Sequence, residues 1–130
     1  MRLVELVNPT SQVVAPGAFV VLGTVDKANV NYVLVGTTGI QINAAGYYEL
    51  EWTGTIEATA ANQSEFDILA DGVPVAYAFV YQAAAGNIDT VSTSKIIRVY
   101  CGSSSTISIR NNATTPSTVN LSNLIIKKVG

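Results

Sequence analysis

Histidine is absent from all 130 residues. That removes the usual general base of serine and cysteine triads, the commonest zinc ligand and the side chain that titrates near neutrality. Cysteine occurs once, so Cys101 cannot close an intrachain disulfide; in a strand context it reads as a buried, inert thiol, and the redox compartment stays open. Charge is scarce: 12% of residues carry it, about half the usual share. The net charge of -2 provides no basic field for nucleic acid or an anionic membrane. No apolar run approaches the roughly 20 residues of a membrane span. The opening Met-Arg-Leu-Val-Glu-Leu-Val-Asn-Pro has none long enough for a secretory leader core, so a soluble chain made in the cytosol is expected.

What is present is apolar and alternating. Hydrophobic residues make up 48%, and Ser, Thr, Asn and Gln supply most of the polarity. Gly46 to Gly54, Gly-Tyr-Tyr-Glu-Leu-Glu-Trp-Thr-Gly, puts Tyr48, Leu50 and Trp52 on one face and Tyr47, Glu49, Glu51 and Thr53 on the other. It predicts a strand with one dry side crossing the core. The length fits one domain, 1–130, able to bury a normal core without staples, with residues 1–10 an arm or a short edge strand.

Along the chain, Met1 to Val7 alternates weakly before the turn pair Asn8-Pro9, and Phe19 to Leu22 reads as a β run ending at Gly23. Asp26 to Asn29 is loop-like, Val30 to Val35 is apolar and β-branched, and Ile40 to Asn43 alternates. After the central strand, Ala58 to Ser64 reads as a loop. Phe66 and Ile68 resume a strand that Asp71-Gly72 turns back into Val73 to Tyr81, a strong hairpin signal. In that second arm every odd position is large or aromatic, which predicts core or subunit contact, and Pro74 argues for an edge. Gln82 to Asp89 is a further loop and Lys95 to Cys101 a strand. Thr106 to Arg110 is a strand with Ile107 and Ile109 inward, and the last strand begins at Leu121 or Asn123. No window of about 11 residues keeps helical spacing as well as these keep alternation. The reading is all-β without helix, about eight to ten short strands in a sandwich or a jelly roll, antiparallel where hairpins join them.

Charge is segregated along the chain. Seven acids and no base lie between Lys27 and Lys95, and five bases and no acid follow Asp89. Early and late strands that pair would bring opposite signs together. Chemistry is otherwise thin. Glu65, Asp67 and Asp71 lack the dense spacing of a calcium loop and read as a solvated turn, so no metal site is expected. Ser92-Thr93-Ser94-Lys95 matches the Ser-x-x-Lys pattern of penicillin-recognising acylases but lacks the companion motifs. Glu49 and Glu51, roughly 7 Å apart on one strand face, suit charge pairing better than glycoside hydrolysis. Asn62, Asn112 and Asn120 open glycosylation sequons that read as coincidence without a secretory leader. No catalytic residue and no cofactor are expected.

Four blocks in order carry a resemblance: Ile42 to Leu50 with its Gly46-Tyr47-Tyr48, Phe66 to Val75 around Asp71-Gly72, Lys95 to Gly102 followed by Thr106 to Ile109, and Leu124 to Val129. Over about Ile40 to Val129 the chain resembles the tumour necrosis factor and complement-head jelly-roll superfamily, most closely in its bacterial and phage members. One departure is Gly102-Ser103, where the family often has Gly-Asp. The resemblance implies a sandwich of about ten strands that forms a homotrimer around its inner sheet. It also places the Gly46 strand between the last strand and the Lys95 strand. Tyr47, Glu49, Glu51, Arg98, Tyr100, Ile125 and Lys127 would then face the trimer axis, and Tyr48, Leu50, Trp52, Phe66, Ile68, Ile107 and Ile109 would fill the core.

The expected function is a non-enzymatic trimeric binding or structural protein on a bacteriophage virion, as head decoration or fibre tip. It would contact other virion proteins and present loops around Asn62, Gln63 and Asn87 to host polymers, carbohydrate among them. A bacterial cell-surface or spore-coat module of the same fold is the alternative, and the location would then be the cell surface. No Gly-x-y stalk supports it.

Overall fold

The computed structural model describes residues 3–27 and 31–130, all of the latter in strands, turns and loops. Eleven strands run in order as β1 (Leu3–Asn8), β2 (Gln12–Val14), β3 (Thr24–Lys27), β4 (Tyr32–Val35), β5 (Gly39–Ile42), β6 (Gly46–Ala58), β7 (Asn62–Ala70), β8 (Val73–Gln82), β9 (Ile88–Val99), β10 (Ser105–Asn111) and β11 (Ser117–Lys128). They form two antiparallel sheets, one ordered β3-β1-β11-β6-β9 with β2 also on β11, the other β4-β5-β10-β7-β8. No helix among the described residues is long and apolar enough to cross a membrane.

Strand β6 organises the first sheet. It lies between β11 and β9, with Glu49 opposite Lys127 and Tyr47 opposite Arg98. Its alternation is the one the sequence requires: Tyr48, Leu50, Trp52 and Ile56 are each 0% exposed, because one face of the pleat meets the opposing sheet. Phe66 and Ile68 of β7 and Ile107 and Ile109 of β10 close the core from the other side, also at 0%. The Trp52 ring lies 5.4 Å from Phe66, and its indole N–H donates to Ser122 Oγ at 3.0 Å, so its polar atom is satisfied inside. A Cβ on Gly54 would sit 2.6 Å from Trp52 Cζ2, so a side chain at this position and the indole cannot share the space.

Several expectations change. Phe19 to Leu22 forms no ladder; Phe19 makes a single bridge to Arg110, and Val20 and Leu22 drop into the core. Asp26 and Lys27 belong to β3, while Ala28, Asn29 and Val30 lie outside the described residues, as do Met1 and Arg2. Strand β1 is neither an arm nor an edge: it sits between β11 and β3, with Val4 and Leu6 fully buried.

The expected loops are shorter, because polar residues there are structural. Gln82 is 1% exposed and donates to the Ile56 and Asn87 carbonyls; Ser64 donates to its Oε1 at 2.7 Å. Strand β7 therefore starts at Asn62, and β8 ends at Gln82. Likewise β11 starts at Ser117, which is buried against Ser64. The Asp71-Gly72 hairpin is as expected. Ala70 pairs with Val73, and φ is 53° at Asp71 and 81° at Gly72, the doubly left-handed turn that favours an Asp-Gly pair. Cys101 is exposed on the β9 to β10 turn, not buried, because the strand ends at Val99 before reaching it.

Candidate functional site

Two outward sheet faces hold the side chains with something to offer a partner. On the first sheet, Ile125 lies opposite Glu51, Lys127 opposite Glu49, Glu49 opposite Ile96 and Tyr47 opposite Arg98. Six of the seven residues expected at a trimer seam thus share one surface of β11, β6 and β9, and Tyr100 follows directly on β9. Its chemistry is paired. Lys127 Nζ lies 3.3 Å from Glu49 Oε1, the one ion pair among the described residues. Arg98 does not reach the glutamates; its guanidinium stacks on Tyr100 at 4.5 Å and Tyr47 at 5.5 Å from the ring centres. Glu51 has Ile125 and Ser94 across from it. Sequence segregation of charge therefore yields one salt bridge and one cation–π sandwich rather than a ladder of ion pairs.

This face also shows apolar surface: Ile96 is 54% exposed and Tyr100 60%. A depression of about 360 Å³ is lined by Glu49, Ser94, Lys95 and Ile96. Ser92 and Lys95, the ends of the Ser-x-x-Lys pattern, sit on an extended strand and not at the start of a helix. At the opposite edge of the sandwich, Val4, Val25, Tyr32, Val33, Leu34 and Ile40 line an apolar cavity of about 390 Å³.

The second face is the outside of β7 and β8. Here Val73, Tyr77, Phe79 and Tyr81 of β8 point outward and are 56–73% exposed, while Ala76 and Ala78 face the core and Val75, beside the bulge in the ladder, packs against it. The core half of the sequence reading is overturned because β8 is an edge strand whose inward neighbour, Phe66 opposite Ala78, already fills the space. The small residues at even positions were the available signal. Beside this stripe, Gln63, Glu65 and Asp67 lie opposite Tyr81, Phe79 and Tyr77.

Spacing alone reads Asp67 as part of a solvated turn. It is instead 0% exposed in mid-strand, and both of its carboxyl oxygens lack a hydrogen-bond donor. Burial foremost, then the neighbouring Glu65 carboxyl, push its pKa up to about 7 against the opposing pull of Arg110. Among the described residues no group of three or more His, Cys, Asp or Glu side chains is placed to hold a metal ion.

The loop residues gather at one end. Asn62 and Gln63 begin β7, and Asn62 Nδ2 donates to Thr114 Oγ1 at 3.1 Å and Thr115 Oγ1 at 3.0 Å. Asn87 is exposed, and its carbonyl accepts from the Ala58 amide at 2.9 Å. Asn62 is thus committed to holding the 112–116 loop, whereas the Gln63 and Asn87 side chains point to solvent.

No protein-family model and no curated protein matches the chain. Solved structures do. Eiger TNF from S. frugiperda superposes with a TM-score of 0.79 at 10% identity, covering 99% of this chain and 92% of that one. The globular domain of zebrafish complement 1qA gives 0.69 at 9% identity, covering 95% of each chain. Rabbit GITRL gives 0.62 at 12% identity, covering all of this chain and 95% of its own. The fold is therefore the jelly roll of tumour necrosis factor and complement heads.

Proposed function

We propose that this protein is a non-enzymatic homotrimeric module whose subunits meet through the outward face of β11, β6 and β9. The observation that carries the reading is the cluster of Tyr47, Arg98, Tyr100 and exposed Ile96 beside the Glu49–Lys127 pair. These are aromatic, arginine and apolar groups of the kind that anchor subunit contacts. The aromatic stripe of β8, with Glu65 beside it, is an unlike surface that can form the other side of the contact. An unlike pair of surfaces makes a head-to-tail contact, which closes into a ring. The jelly roll shared with the TNF and complement structures supports three as the number of copies.

Within this reading the role is display on a bacteriophage surface, as head decoration or fibre tip, with Gln63 and Asn87 offered at one end to host polymers. Sparse charge and loops rich in Ser, Thr and Asn support it. Light scattering at micromolar concentration tests the assembly: a trimer mass is expected, and a monomer refutes it. Glu49→Lys with Glu51→Lys should leave a folded monomer by circular dichroism; a trimeric double variant places the seam elsewhere. Binding to host cell-wall preparations, reduced on changing Gln63 and Asn87, tests the display role separately.

A further inference from the structure

We propose that Asp67 and Glu65 form a shared-proton latch on the outside of the five-stranded sheet, which holds β8 and its aromatic stripe while the proton is present and loosens it when the proton leaves. The latch stands on geometry. Asp67 is fully enclosed although it points away from the core, with Tyr77 opposite it on β8 and Arg110 opposite it on β10. Glu65 shares its face two residues earlier and is held there, because Asn112 Nδ2 donates to Glu65 Oε2 at 2.7 Å. A buried carboxylate without a donor is the costly case, whereas a neutral acid that shares its proton with an adjacent carboxylate is not.

The groups facing Asp67 are Glu65 on its own strand, Arg110 from β10 and Tyr77 from β8; Phe19, bridged to Arg110, brings no charge. Once the proton leaves, two neighbouring carboxylates repel each other, with the Arg110 charge on β10 offsetting part of that repulsion. Repulsion then acts directly beneath the β7 to β8 ladder, the last ladder of its sheet.

The sign follows from the raised pKa of about 7, above the ordinary value of 3.8. The folded chain holds this proton where the unfolded chain has released it. The stabilisation is complete below the ordinary carboxylate range, falls as pH rises, and is gone above about 7. One such proton changes the ratio of folded to unfolded protein by about tenfold per pH unit within that window.

Denaturant unfolding of the wild type and Asp67→Asn from pH 4.5 to 8 tests it. The wild type should lose stability relative to the variant by up to about tenfold per unit until near pH 7, then run parallel to it. Parallel curves throughout overturn the proposal. Because Asp67→Asn could fail to fold, carboxyl carbon NMR of the wild type gives an independent reading. A midpoint near neutrality is expected, and one in the ordinary carboxylate range refutes the latch. Amide exchange at Tyr77 and Phe79, corrected for base catalysis, should accelerate across that midpoint; unchanged protection there refutes the loosening.

Discussion

The two outward faces of the sandwich carry similar residue types and treat them oppositely. On β11, β6 and β9 two of the charges have partners: Glu49 has Lys127 and Arg98 lies between two tyrosine rings, while Glu51 faces Ile125 and Ser94. On β7 and β8 an acid is enclosed with no donor while three aromatic rings beside it stand in solvent. The position of each strand in its sheet explains the difference. Strand β6 is flanked on both sides, so its outward side chains have cross-strand neighbours to pair with. Strand β8 is an edge, so its outward rings have neighbours on one side only. A paired surface tolerates exposure; a half-paired one keeps unmet valence for a partner or a proton.

The largest effect should come from the core that both faces share. Trp52→Ala removes the indole between the sheets and the partner of Ser122, and should cost about 3–5 kcal/mol in denaturant unfolding. A loss near that of a surface substitution would mean the two faces are not held by one core. Gly54→Ala comes next, at about 1–3 kcal/mol, since the added methyl must displace the Trp52 ring. Indole fluorescence should shift with it.

On the paired face, Arg98→Ala removes the stacked guanidinium and should cost the protomer only about 0.5–1 kcal/mol. Its effect on assembly mass should be far larger than its effect on melting. Equal effects would erase the distinction between a seam and an ordinary surface. Smallest is Lys127→Met, worth about 0.2–1 kcal/mol and vanishing in high salt, because both partners remain partly in water.

Much of this was legible in order along the chain. Alternation alone put Tyr48, Leu50 and Trp52 inside and turned the chain at Asp71-Gly72, because a period of two and a left-handed Asp-Gly pair are local properties of the backbone. Polarity misled where it was buried. Ser64, Gln82 and Ser117 read as loop because composition cannot show that they bond to one another across the end of the sandwich. Large residues misled where they were exposed. Alternation in Val73 to Tyr81 gave two faces but not which one is inside, since that depends on β8 ending a sheet.

An all-β chain without histidine chemistry, the dry face of β6 and the hairpin at Asp71 are thus written into residue order. Each follows from residue type and spacing within a few positions. Strand pairing across the whole chain is what makes β1 internal and stacks Arg98 on tyrosines instead of bringing it to the glutamates. It alone enclosed Asp67 beside Glu65. Those outcomes depend on which strands become neighbours, and burial and partner choice are properties of the neighbours as much as of the residue.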